Sequence, residues 1–159
     1  MDKDASGHVR VAIVGSGQMA GARGERLANS SHTSVVAVAA RNQKTGTELA
    51  AQHGVEYTQD WRATVRRPDV DAVVLTTHPD TRAEMGMAVL SAGKHLFTES
   101  PLAMSPREGS RLLAVANENG LVIRVGHTSV IRPAQCLIRE QIAALGGPVH
   151  DLFSPSEVL

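Results

Sequence analysis

Gly15, Gly17 and Ala20 stand in the spacing G-x-G-x-x-A directly behind a short apolar run, Val9 to Val14. That spacing suits a strand turning sharply into a helix. Glycine at 15 permits the tight turn, glycine at 17 leaves the backbone open to a diphosphate, and alanine at 20 lets helix and strand pack closely. Free amides at the helix start then meet the negative charge. The implied chemistry is the binding of a dinucleotide, with Gly15, Ser16, Gly17, Gln18, Met19 and Ala20 at the diphosphate. A glycine-rich structural turn is the alternative, and the strand, turn and helix setting weighs against it. Gly21 and Gly24 each cost up to about 1 kcal/mol relative to alanine inside a helix, so they are expected on a face pressed against sheet or ligand.

The second set of residues lies where a cofactor's adenosine ribose would fall. An NAD-binding protein places Asp or Glu there to hold the ribose hydroxyls, whereas this sequence reads Ala39-Ala40-Arg41. Without a carboxylate there is no repulsion of an extra phosphate, and a guanidinium can grip that phosphate with two parallel bonds. Asn42 and Lys44 add donors. NADP(H) is therefore favoured and NAD(H) remains possible, the alternative for Arg41 being a solvated strand end. Thr76, Thr77 and His78 follow another apolar run at the ligand-facing edge of such a sheet, where a cofactor contact and an ordinary loop histidine fit His78 equally well.

Other residue patterns carry less. Arg66 and Arg67 before Pro68 read as a solvated helix end. The seven histidines show no metal-ligand spacing such as H-E-x-x-H, so no metal is predicted. The G-x-S-x-G nucleophile elbow is absent, which leaves hydrolase chemistry without a motif.

These residues must be positioned by alternating strands and helices. Val9–Val14 predicts a buried strand, followed by helix from Gln18 to about Asn29, strand from Thr33 to Ala40 and helix from Lys44 to His53. Strand at Val55 to Tyr57, a helical turn at Trp61 to Val65 and strand from Ala72 to Thr76 continue the alternation. Helix is expected from Thr81 to Ala92, with Met85, Ala88 and Val89 inward and Gly93 as the stop. After a strand at His95 to Thr98, Ser105 and Pro106 open a helix that runs to Asn119 and ends at Gly120. Strand from Leu121 to Val125 and helix from Pro133 to Leu145 complete the pattern, which implies a doubly wound parallel sheet between two layers of helices.

Bulk composition sets limits on this reading. With 159 residues and 42% hydrophobic content, one self-supporting core is expected. Sixteen basic and sixteen acidic residues cancel, so neither nucleic acid nor an anionic membrane is favoured by overall charge. Cys136 is the only cysteine, which excludes an internal disulfide and fits a reducing compartment. Met1 to His8 is polar, and no apolar run reaches the ~18 residues of a membrane span, so the expected location is the cytoplasm.

Taken together, Val11 to Ala20, Ala39-Ala40-Arg41, the Thr77-His78-Pro79 turn, Ala92-Gly93-Lys94-His95 and Glu99-Ser100-Pro101-Leu102 resemble the N-terminal Rossmann half of the Gfo/Idh/MocA oxidoreductases. The Ala-Ala-Arg ending is similar to that of the NADP-using dihydrodiol dehydrogenase branch. What the resemblance implies is hydride chemistry on a sugar, cyclitol or related hydroxy or carbonyl compound. It also places Glu99 near the nicotinamide in a mainly structural role and His127 on the substrate side of the cleft, so Glu99, Ser100 and His127 are the weak catalytic candidates. Two departures stand out. The family has Glu-Lys-Pro, with its lysine implicated in positioning the nicotinamide and polarising the reacting oxygen, where this chain has Ser100; a short neutral hydroxyl stabilises developing negative charge far less. Family members also carry a second, mostly antiparallel domain that binds substrate and supplies an acid–base residue. The expectation is thus a truncated form: a dinucleotide domain over 1–148, then a remnant over 149–159 that frays or pairs with a homodimer mate or a partner chain. A non-catalytic NADP-binding sensor or partner-binding module is the second reading.

Overall fold

Four of the six residues in Val9–Val14 are buried, and this β-branched run forms strand β1 inside a sheet. The computed structural model describes residues 7–127 and 133–144. After β1 come α1 (Gln18–Ala28), β2 (Thr33–Ala39), α2 (Gln43–His53), β3 (Glu56–Thr58), α3 (Trp61–Val65), β4 (Ala72–Leu75) and α4 (Pro79–Ser91). They are followed by β5 (His95–Glu99), α5 (Pro106–Glu118), β6 (Ile123–Gly126) and α6 (Pro133–Ala144). The chain divides into two compact units, Met1–Val125 and Gly126–Leu159. The expected boundary between 148 and 149, the strand beginning at Val149 and the apolar tail of Leu152, Phe153, Val158 and Leu159 lie outside the described residues.

The strand order is β3-β2-β1-β4-β5-β6, and β1 pairs in parallel with both β2 and β4. The pairs β2–β3 and β4–β5 are parallel as well. Alternation along β1 sends Ala12 and Val14 into one apolar layer and Ile13 into the other. The first layer is completed by Val89 and Leu90 of α4 and by Leu112 and Ala116 of α5, the second by Ala20 of α1 and by Leu49 and Ala50 of α2. Helices therefore cover both faces, giving the expected three-layer, doubly wound Rossmann architecture. Because the order reverses between β1 and β4, the segments leaving those two strands diverge and open a crevice beyond their carboxyl ends.

The β1–β2 ladder is not uniform. Val11 pairs with Val35 but Ala12 pairs with Ala37, leaving Val36 without a partner on β1. Val36 and Ala37 pack on the same layer while Val35 packs on the opposite one, so the alternation breaks at that step.

Three expectations are corrected. Helix α4 begins at Pro79, two residues ahead of the expected Thr81, because proline's fixed φ and missing N–H suit the first turn and extended His78 serves as the N-cap. Its inward face is Arg82, Gly86, Val89 and Leu90, with Met85 and Ala88 only half-buried. An arginine turns inward there because three backbone carbonyls receive its head group: Nε donates to Thr77 O at 2.9 Å, and Nη1 to Glu99 O and Pro101 O, both at 3.0 Å. Lastly, Arg67 is not simply solvated: its guanidinium donates to both Asp69 oxygens, at 2.9 and 2.7 Å, and to Glu56.

Candidate functional site

Where β1, β2 and β4 end, a cleft of about 600 Å³ opens. The β1 exit contributes Gly15 and Ser16, the β2 exit Ala39, Ala40, Arg41 and Asn42, and the β4 exit Thr76, Thr77 and His78. Gln59 and Trp61 reach it from the segment after β3, and Thr81 and Met85 from α4.

Gly15 makes the turn with φ of +118°, a conformation L side chains rarely adopt. A Cβ there would collide with Thr76 Oγ1 and sit 3.2 Å from the Thr76 carbonyl carbon and oxygen. Both neighbouring strands hold the turn: Gly15 N donates to Ala39 O at 2.8 Å, and Thr76 N to Val14 O at 2.9 Å. Gly17, the N-cap of α1, faces open space, Gln18 and Met19 are exposed, and Ala20 is fully buried against the sheet. Gly24 is pressed as expected, since a Cβ would strike His53 Nε2 and lie 3.3 Å from Ile13 Cδ1. Gly21, by contrast, meets no protein atom within 4 Å, so the sheet does not press on it.

The helix caps distinguish the cleft from the rest of the fold. Asn42 caps α2 by accepting from Thr45 N, Asp60 caps α3 by accepting from Ala63 N, and Ser105 caps α5 by accepting from Glu108 N. Helices α1 and α4 have no side-chain cap; Gly15 and Ser16, which lead into α1, and His78, the N-cap of α4, border the cleft. The first amides of α1 are thus left for an acceptor from outside the chain, whereas α4 opens on Pro79, which has no N–H, and its Thr81 N already donates to His78 O at 3.1 Å. The α1 start fits a diphosphate group, as does the space left by Gly17.

At the β2 side, Arg41 is exposed, and among the described residues its guanidinium has no carboxylate partner. Its carbonyl accepts from Gln59 Nε2 at 3.2 Å, and the Ala40 carbonyl from the Tyr57 hydroxyl at 3.0 Å, which ties the strand end down. The carbonyl side of the Asn42 amide is spent on the cap. Ser16 Oγ lies 2.6 Å from Thr45 Oγ1, joining the glycine turn to α2. At the β4 side, His78 Nδ1 is 2.7 Å from Asp80 Oδ1, and both side chains are exposed.

Glu99 ends β5 and is 8% exposed. Arg23 Nε donates to its Oε1 at 2.6 Å and Nη2 to its Oε2 at 3.2 Å, while the Arg23 guanidinium lies over the Phe97 ring at 4.9 Å. Burial pushes the Arg82 guanidinium below its ordinary value and the nearby Glu99 carboxylate opposes that shift. Ser100 is exposed between these anchors, with the Ser100–Pro101 peptide cis. His127 is exposed immediately after β6 and belongs to the second unit. The first-unit candidates therefore fall in two groups: a cleft set around Gly15, Arg41 and Thr76–His78, and the latched β5 end carrying Glu99 and Ser100. Sequence reasoning missed Arg23, Gln59, Trp61 and Arg82; Arg23 meets Glu99, Gln59 meets Arg41 and Arg82 meets Glu99 and Pro101 across long stretches of chain. Only the break in the apolar pattern at Arg82, inside an otherwise small and apolar helix face, offered a signal.

A glycine turn at the switch point of a 3-2-1-4-5-6 sheet coincides with a family match. The model of the Gfo/Idh/MocA oxidoreductase family, NAD-binding Rossmann fold, fits residues 9–127. The chain belongs to this family. Among its relatives, the 4-carboxy-2-hydroxymuconate-6-semialdehyde dehydrogenase of Sphingobium sp. (strain NBRC 103272 / SYK-6) is 33% identical over 137 residues, covering 86% of this chain and 44% of the relative. A dTDP-3,4-didehydro-2,6-dideoxy-alpha-D-glucose 3-reductase of Streptomyces violaceoruber is 32% identical over 126 residues, or 79% of this chain and 36% of the reductase. Among solved structures, biliverdin reductase from Synechocystis sp. PCC 6803, in complex with biliverdin and NADP+, superposes with a TM-score of 0.82 at 30% identity, covering 85% of this chain and 43% of that one. The chain thus spans less than half the length of these Gfo/Idh/MocA proteins and corresponds to their NAD(P)-binding Rossmann domain.

Proposed function

We propose that this chain holds NADP(H) in the cleft and serves as the cofactor half of an oxidoreductase acting on a sugar, cyclitol or related hydroxy or carbonyl compound. One observation carries the cofactor reading: α1 starts from the glycine turn of the cleft with no side-chain cap on its first amides and with open space at Gly17 for a diphosphate. Gly15 to Ala20 hold that diphosphate through backbone amides. Arg41, with no carboxylate partner among the described residues, receives the adenosine-side phosphate and favours NADP(H) over NAD(H); Asn42 supports it. Thr76, Thr77 and His78 line the path from the diphosphate towards the nicotinamide, and Glu99 fixes the β5 end there. When bound, the cofactor supplies hydride transfer; the chain's own residues bind and orient it.

Titration calorimetry of NADPH against NADH tests this. The expected result is a preference for NADPH of about tenfold or more, abolished by Arg41→Ala, because a charge-assisted contact contributes about 1.5–3 kcal/mol. Equal affinities unaffected by Arg41→Ala would sink the preference, and no heat with either nucleotide would sink the cofactor reading. Ser100 favours a second reading, a binding module without turnover, because an exposed serine stands where the family lysine would polarise oxygen. A homodimer mate or partner chain bringing substrate groups would reconcile the two. Light scattering of the 159-residue chain, with turnover measured across a panel of sugars and cyclitols, separates them.

No helix among the described residues is long and apolar enough to cross a membrane. A cytoplasmic setting accords with the lone Cys136 and remains part of the proposal.

A further inference from the structure

Trp61 is the chain's one tryptophan, and it lines the cleft. It is the first residue of α3, and two interactions fix that segment from either side. Asp60 Oδ1 accepts from Ala63 N at 2.9 Å, capping the short helix, and Gln59 Nε2 donates to the Arg41 carbonyl at 3.2 Å, tying the same segment to the β2 exit. Trp61 is half-buried and packs on the same apolar layer as Met85, and Met85 and Thr81 line the cleft as well. The Arg62 guanidinium lies 4.3 Å from the centre of the Trp61 ring and is held by Glu84. The cleft lining therefore includes an indole, a thioether and the Arg41 cation, which has no carboxylate partner among the described residues.

We infer that Trp61, backed by Thr81 and Met85, is the wall against which the adenine of the dinucleotide packs, with Arg41 beside it for the ribose phosphate. The inference rests on the cofactor reading above and adds a residue to it. A purine needs a flat apolar surface, and aromatic contact is rewarded by its π face. The direction follows from the fold: with a diphosphate at the β1 turn, the adenosine half lies on the β2 side, the side Trp61 reaches through Gln59. The remainder of the lining on that side, Ala39, Ala40 and Asn42, offers no aromatic surface.

A lone tryptophan permits a direct test on the unmodified chain. ADP-ribose carries adenosine and diphosphate without a nicotinamide, so it does not accept excitation energy from indole. Its addition should change the intrinsic tryptophan emission with the same midpoint as a parallel calorimetric titration. Trp61→Leu should weaken ADP-ribose binding about tenfold, and Trp61→Phe should restore it to within about threefold of the parent, in line with base–aromatic stacking of about 1–3 kcal/mol. Calorimetric binding with unchanged emission, or undiminished affinity in a folded Trp61→Leu protein, overturns this inference and leaves the cofactor reading standing. Absence of heat with ADP-ribose, NADPH and NADH alike overturns both. If Trp61→Leu fails to fold, the emission titration of the parent decides alone.

Discussion

At the residue scale the decisive position is Gly15. Its positive φ and its contact with the β4 exit leave no space for a side chain, so Gly15→Ala should strain the backbone and displace Thr76 together. We expect a loss of at least about 2 kcal/mol in urea denaturation and loss of NADPH binding. A variant that kept both would show the turn to be slack. Glu99 is the second such position. Its carboxylate is occupied by Arg23, with the two side chains 11% and 12% exposed, so Glu99→Gln leaves a guanidinium largely buried without its counter-charge. The expected cost is about 3 kcal/mol in denaturation, with nucleotide affinity changed less than about threefold. A large affinity loss at unchanged stability would instead assign Glu99 to the ligand. The glycine turn and the acid-free run Ala39-Ala40-Arg41 were legible in sequence because each is made of residues adjacent in the chain. The Arg23–Glu99 pair was not: seventy-six residues separate the partners, and no local pattern records such a distance.

At the element scale, strands and helices were legible to within a residue or two, and two of the misses share one cause. Strand was expected from Val55 and from Leu121, yet β3 starts at Glu56 and β6 at Ile123. In both places the preceding helix closes on a left-handed glycine, Gly54 or Gly120, and the next amide turns back: Val55 N donates to Ala50 O at 3.1 Å and Leu121 N to Ala116 O at 2.8 Å. Those β-branched or apolar residues belong to helix endings, although their side chains suit a strand. A different pairing sets the pH response of the sheet. Arg10 at the start of β1 donates through its backbone N, Nε and Nη2 to Asp71 just before β4, and this hydrogen bonding holds the Asp71 carboxyl below the usual carboxylate range against the opposing effect of burial. Asp69 is likewise held low by its hydrogen bonds from Arg67. A carboxyl depressed in the folded chain contributes stability above its unfolded value, near ~3.9, and that contribution is lost as pH falls through the folded value. Thermal melts should therefore vary little from these groups above about pH 5 and decline below about pH 4, with a shallower decline in Asp71→Asn. An identical acid limb in that variant would remove Asp71 from the account.

For the whole molecule, the sheet decides where stability concentrates. Strands β1 and β4 are paired on both sides and feed the apolar layers, whereas β3 and β6 are the edges among the described residues. Amide exchange should be slowest in Val11–Val14 and Val73–Leu75 and markedly faster in Glu56–Thr58. Equal protection at the β3 edge would contradict a core centred on the switch point. The three-layer arrangement was legible because alternation of strands and helices leaves few ways to cover a parallel sheet. The cleft's full wall was not, since Gln59 and Trp61, which follow β3, and Met85, which follows β4, line it together only once those two segments converge.

The unmatched Val36 has a consequence for chain length. Removing an amino acid from an inner strand ordinarily turns every following side chain to the wrong face. Here one residue is already surplus: excising Val36 would let Val35 and Ala37 follow each other opposite Val11 and Ala12, restoring strict in-and-out order without moving Val38 or Ala39. A deletion at 36 should fold, while the same excision at Val38 should not.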